Sequence, residues 1–166
     1  GGLTWDPPGS WKGGWIFGVS FVNDSVGTIV GRDGNIVRTT DGGFTWNAQT
    51  SGTSMSLSSC CFVDEDFGVA VGSQGTILRT TDGGLHWDEQ SGITVTSLTD
   101  VTFTDRTNGT VIGYDGTILR TTTGGVTWVE EPKSSPTLFH LSQNYPNPVT
   151  TSTTIPFTLS KAEHGR

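Results

Sequence analysis

Gly72-Ser73-Gln74-Gly75-Thr76-Ile77-Leu78-Arg79-Thr80-Thr81-Asp82-Gly83-Gly84-Leu85-His86-Trp87 decides the fold, because close copies stand at Gly31 to Trp46 and at Gly113 to Trp128. From Trp46 to Trp87 to Trp128 the step is 41 residues each time, with no insertion. The opening Gly1-Gly2-Leu3-Thr4-Trp5 is the end of the same motif. Phe21, Phe62 and Phe103 keep the step, as do Arg38, Arg79 and Arg120. A fixed period near 40 with a Trp at the unit edge implies an array of equivalent units. Each unit needs neighbours to bury its faces.

Working outward from the quoted stretch, Ser58 to Val63 reads as an inner strand, Asp64-Glu65-Asp66-Phe67 as a polar turn and Gly68 to Gly72 as a second strand. Gln74-Gly75 is Asp33-Gly34 and Asp115-Gly116 in the sister copies. Asp-Gly between apolar segments is a strong hairpin signal, since both turn residues need positive φ. Thr76 to Thr81 is the third strand, with Ile77 and Arg79 on one face and Leu78 and Thr80 on the other. The turn after it carries Asp41-Gly42-Gly43, Asp82-Gly83-Gly84 or Thr123-Gly124-Gly125, and ends in Trp46, Trp87 or Trp128. The Asp carboxylate is expected to accept amides two residues on, and the ring to bury itself against the turn or the next strand. Trp87 to Gln90 is the fourth strand.

Four short antiparallel strands per 41 residues make a β-propeller blade; a β-solenoid is the alternative, but its coils have shorter periods and no internal hairpins. The fold expected is all-β: a partial propeller of three four-stranded blades plus one extra strand. Its repeats are 5–45, 46–86 and 87–127 within a domain over 1–130. Residues 131–140 read as a linker.

The quoted stretch resembles the repeat of the photosystem II stability/assembly factor propellers, and the turn alone resembles the Asp-box, or BNR repeat, of sialidases. The resemblance spans residues 1–128 and implies a propeller, not photosystem work. Leu141-Ser142-Gln143-Asn144-Tyr145-Pro146-Asn147-Pro148, followed by Thr153 to Leu159, resembles the start of a type IX (Por) secretion sorting domain over 141–166. Val149-Thr150-Thr151 replaces that family's usual Phe-Asn-Pro, and its second half is missing. The resemblance implies a secreted or outer-membrane-attached bacterial protein, addressed in its full-length form to the type IX machinery. Both ends cut through motifs, so the chain reads as a piece of a longer protein. An open arc of three blades exposes two sheet faces, and self-association is expected.

Composition supports this reading. Among 166 residues, Gly numbers 24 and charged residues only 15%, as in turn-dense β proteins rather than helical bundles. Net charge is -7 with no basic run, which argues against nucleic-acid binding. No apolar stretch approaches the ~20 residues of a membrane span. Cys60 and Cys61 are neighbours on a strand and read as small buried hydrophobes facing opposite ways, with a vicinal disulfide as the rare alternative.

No cofactor fingerprint, metal spacing or catalytic grouping is visible. Asp64, Glu65, Asp66 and Asp105 read as solvated turn residues, and the Asp-box is structural in the glycosidases that carry it. The function expected is a non-enzymatic protein- or glycan-binding scaffold. The alternatives are the non-catalytic part of a secreted glycosidase and an assembly-factor-like protein that receives an acidic partner on Arg38, Arg79 and Arg120. Those arginines also fit a role bonding carbonyls or carboxylates between blades. Asp-box turns should share one end of the blades with the loops at Asp24, Glu65 and Arg106, and hairpin tips should share the other with the inter-blade connections. That second end is where the copies diverge: Arg32, Ser73 and Tyr114 differ at one position, and Trp11 and Trp15 stand in one connection only. Trp11, Trp15, Arg32 and Tyr114 are the candidate ligand contacts, with Trp11 and Trp15 as edge cover the plainer role.

Overall fold

The computed structural model describes residues 14–90 and 93–130, together with two short strands at His140–Leu141 and Phe157–Thr158. Three four-stranded antiparallel sheets account for nearly all of it. The first is β1 (Ile16–Phe21), β2 (Gly27–Gly31), β3 (Ile36–Thr39) and β4 (Asn47–Gln49), paired in that order. The second is β5 (Leu57–Phe62), β6 (Gly68–Gly72), β7 (Ile77–Thr80) and β8 (Asp88–Glu89), and the third is β9 (Leu98–Phe103), β10 (Gly109–Gly113), β11 (Ile118–Thr121) and β12 (Val129–Glu130). The architecture is thus a partial β-propeller. The fourth strand follows the Trp and pairs with the strand before the turn, as in Arg79↔Asp88. A repeat boundary drawn at the Trp therefore falls inside a sheet. The extra strand expected near Trp5 lies outside the described residues.

Contacts divide the chain into units Gly1–Glu131 and Pro132–Arg166. In the second unit, β13 (His140–Leu141) pairs antiparallel with β14 (Phe157–Thr158). The sorting-domain motif at Gln143 to Pro148 and most of the expected linker lie outside the described residues. Among the described residues no helix is long and apolar enough to cross a membrane.

The alternation of β7 decides the packing. Ile77 joins Val69 and Val71 in a cluster with Leu98, Val101, Val111 and Leu119 of the third sheet. Leu78 joins Cys60 and Ala70 in a cluster with Val30 and Ile36 of the first. Odd and even positions of one strand thus serve different neighbours. Both thiols are free; Cys60 is buried towards the first sheet, and half-buried Cys61 packs against the cluster on the other side. Burial pushes the Cys60 thiol pKa up to about 12.

The hairpins form as expected. Asp33 (φ 57°) with Gly34 (φ 72°), and Asp115 (φ 54°) with Gly116 (φ 69°), give the left-handed pair of a type I′ turn, closed by Asn35 N–H to Arg32 O at 3.1 Å in the first copy. Gln74 takes the same conformation at φ 55°. A residue without a short polar side chain is disfavoured there. Gln74→Asp is expected to stabilise the chain by about 0.5–1 kcal/mol. An unchanged or lower urea midpoint would contradict that.

Candidate binding face

At one end of the sheets, the Asp-box closes through hydroxyls as well as the carboxylate. Asp41 Oδ1 accepts from Thr45 N–H at 2.9 Å, four residues on rather than the two expected, and Oδ2 accepts from the Thr45 hydroxyl at 2.6 Å. The Gly43 amide, two residues on, uses another acceptor. Thr39 Oγ1 takes the Gly43 N–H at 2.9 Å and donates to Asp41 Oδ1 at 2.8 Å. Thr80 and Asp82 repeat this, with His86 Nδ1 at 2.6 Å in place of the Thr45 hydroxyl. Thr39, Thr80 and Thr121 are buried at 0–2% exposure and are functional parts of the turn that sequence reading overlooked. Their identity in all three copies was the available signal.

The Trp of each box stands edge-on to the Phe that ends the first strand, with centroids 6.2 Å apart for Phe21–Trp46 and 5.9 Å for both Phe62–Trp87 and Phe103–Trp128. Trp128 also donates from Nε1 to Gly125 O at 3.0 Å.

Hydrogen bonds from the Thr45 hydroxyl and amide hold Asp41 at a pKa of about 2, and those from the His86 amide and ring hold Asp82 at about 2. Asp105, in the turn of the third sheet, is held well below the carboxylate range by the Thr107 hydroxyl and the Asn108 side chain. Burial raises the Asp64 pKa, but bonds from Arg106 and from the Phe67 and Asp66 amides outweigh it and leave it lowered. No carboxylate shifted in this way is a poised proton donor. Because these folded values lie below the unfolded 3.8, their contribution is complete above it and disappears as pH falls towards 2. The urea midpoint should therefore drop between about pH 5 and pH 2, and the drop should shrink in Asp41→Asn/Asp82→Asn. An equal drop in that variant would contradict the assignment.

In the third copy Thr123 Oγ1 accepts the Thr127 N–H at 3.0 Å and pairs with the Thr127 hydroxyl at 2.8 Å. One oxygen does the work of two. Thr123→Asp is expected to add about 0.5–1 kcal/mol, and a melting temperature equal to or below the parent's would reject it.

Gly42, Gly83 and Gly124 donate to Ser25, Asp66 and Thr107 carbonyls at 2.8–2.9 Å, which puts the boxes and the first-to-second-strand loops at one end. Arginines tie this end from sheet to sheet. Arg38 donates to Glu65 O and lies 5.1 Å above the Phe62 ring; Arg79 Nε donates to Gly124 O at 2.7 Å. Asn23 Nδ2 to Glu65 Oε1 at 2.9 Å and Arg106 Nη2 to Asp64 Oδ1 at 2.8 Å add side-chain links. Arg38 and Arg79 are half-buried with their heads on carbonyls, whereas Arg120 is exposed on the outward face of the third sheet. The three do not form one patch.

The opposite end carries the hairpin tips. Arg32, Ser73 and Tyr114 N–H groups donate to Trp15, Ser56 and Ser97 carbonyls at 2.9–3.0 Å. Each tip is thereby fixed beside the connection that enters its own sheet. In the first sheet this brings Arg32 Cζ to 6.0 Å from the Trp15 ring, a cation–π pair with the indole 69% exposed. Tyr114 is exposed two sheets away at the same end. Trp11 lies outside the described residues. Among the described residues no three His, Cys, Asp or Glu side chains are grouped for a metal.

Solved structures share this architecture, two of YCF48 among them. One, "YCF48 bound to D1 peptide", superposes with TM-score 0.62 at 28% identity, covering 69% of this chain and 39% of that one. The other, YCF48 from Cyanidioschyzon merolae, gives 0.60 at 25% identity with the same coverage. This chain spans 39% of the length of each. No protein-family model and no curated protein matches it.

Proposed function

We propose that this chain is part of a non-enzymatic propeller scaffold that binds an extended segment of another protein at its hairpin end. The observation that carries the proposal is the exposed Trp15 indole paired with Arg32 at the hairpin end, where Arg32, Ser73 and Tyr114 differ between the copies. An exposed aromatic beside a guanidinium is a recurrent anchor for protein partners, because it offers large apolar area with little side-chain freedom to lose. One of the similar propellers was solved with a peptide bound. The Arg38 and Arg79 heads are engaged with backbone carbonyls, which disfavours the acidic-partner alternative at that position. We further propose export to the bacterial surface through the type IX machinery, on the strength of the Gln143 to Pro148 motif.

Binding is tested by screening immobilised peptide and glycan arrays with the chain and with Trp15→Ala and Arg32→Ala. Peptide ligands are expected, weakened about tenfold or more by Trp15→Ala. Glycan ligands alone would favour the sugar-binding reading, and undiminished peptide binding in both variants would remove this site.

A further inference from the structure

Each Asp-box carries one side chain that the turn itself does not use. Between the second glycine and the residue that bonds Asp41, Asp82 or Thr123 stand Phe44, Leu85 and Val126. They are 85%, 76% and 60% exposed. The opening copy of the motif has Leu3 at that place. The residue thus changes from copy to copy and stays apolar. A single exposed apolar side chain is ordinary, but one kept at the tip of every box, at one end of the sheets, makes a row of apolar prongs. The number of neighbouring sheets does not account for it. The second sheet is flanked on both sides, by the first and the third, and Leu85 still stands in solvent. The turn does not require it either, since the Trp two residues on already covers the box, edge-on to its Phe.

The ground beside the prongs is acidic. Asp24, Glu65, Asp66 and Asp105 are exposed in the first-to-second-strand loops, which the Gly42, Gly83 and Gly124 amides hold against the boxes. The cations of this end are engaged. Arg38 and Arg79 sit on carbonyls, Arg106 on Asp64 at 2.8 Å, and His86 on Asp82 at 2.6 Å, while Arg120 lies to the side on the outward face of the third sheet. The described residues include no lysine. We infer that the Asp-box end docks a basic, amphipathic segment of another protein. Its apolar residues rest on Phe44, Leu85 and Val126, and its cations stand among the loop carboxylates. Charge selects this occupant: anionic lipid headgroups, nucleic-acid phosphates and the same end of a second copy are all repelled. Desolvating the prongs supplies affinity, and the carboxylates supply orientation and encounter rate. This surface lies at the opposite end of the sheets from Trp15 and Arg32 and does not depend on the binding proposed there.

The test is fluorescence anisotropy of a labelled peptide of alternating leucine and lysine, titrated with the full chain at about 0.15 M salt. The chain is expected to bind it. Phe44→Ser/Leu85→Ser/Val126→Ser should weaken binding by about thirtyfold or more. All three side chains are exposed, so circular dichroism should be unchanged. A peptide with serine in place of leucine should bind the unaltered chain at least about tenfold more weakly, which probes the apolar contact without touching the protein. Asp24→Asn/Glu65→Gln/Asp66→Asn should weaken binding by about tenfold and flatten its salt dependence. Trp15→Ala should leave it unchanged. No binding by the parent chain overturns the inference, as does undiminished binding in the serine variant. Equal binding of a leucine–glutamate peptide or of phosphatidylcholine vesicles would also overturn it, because the surface would then be apolar without selecting a basic partner. Binding lost in Trp15→Ala would place the peptide at the hairpin end instead.

Discussion

Ile77→Ala should lower stability by about 2–4 kcal/mol, and Ile118→Ala by less than about 1 kcal/mol. The two residues occupy the same place in the repeat, in strands of the same sequence, Ile-Leu-Arg-Thr. Only their surroundings differ. Ile77 is fully buried between the second and third sheets, and Ile118 is 42% exposed on the outward side of the third. Deleting buried methylenes costs the transfer free energy of those atoms plus the cavity left behind; at a half-exposed site water fills the space and only part of the transfer term is lost. Urea unfolding at protein concentrations low enough for a single copy gives both numbers. Equal costs would mean that stability resides within each sheet and not between sheets.

Gly68→Ala should cost about 2 kcal/mol or more, while Gly27→Ala should cost less than half of that. In each sheet the glycine that opens the second strand is paired with the Phe that closes the first, and the ring lies across it: Phe21↔Gly27, Phe62↔Gly68 and Phe103↔Gly109. A methyl at Gly68 would meet Phe62 ring carbons at 2.5 Å, and at Gly27 it would meet those of Phe21 at 2.6 Å. The first contact differs from the second in what can give way. Phe62 is 7% exposed and held between Gly68 and Trp87, whereas Phe21 is 47% exposed and free to swing outward. Comparable losses in the two variants would show that backbone requirements, not the ring, select glycine there.

Local signals carried most of the fold. The Asp33-Gly34 and Asp115-Gly116 turns were legible because positive φ at two successive positions restricts the residue choice, and the structure has those angles. The strands were legible because their turns are. The partner of each strand face was not, since alternation says that Ile77 and Leu78 point opposite ways but not which sheet each one meets. The Asp-box was read half correctly. Its carboxylate does close the turn, yet it reaches four residues on, because a buried Thr hydroxyl takes the nearer amide. A Thr near the end of a strand looks like an ordinary β residue, and only its recurrence at Thr39, Thr80 and Thr121 marks it. The candidate site was legible only as a place. Divergence among the copies pointed to the hairpin end, but the meeting of Trp15 with Arg32 depends on a backbone bond from Arg32 N–H to Trp15 O across non-adjacent segments.

Native-state hydrogen exchange on single copies tests most directly whether side-by-side stacking holds these sheets. The β6 amides, in the sheet covered on both faces, should exchange only through complete unfolding and more slowly than those of β2 and β10. Protection in β6 no greater than in β2 and β10 would contradict the account.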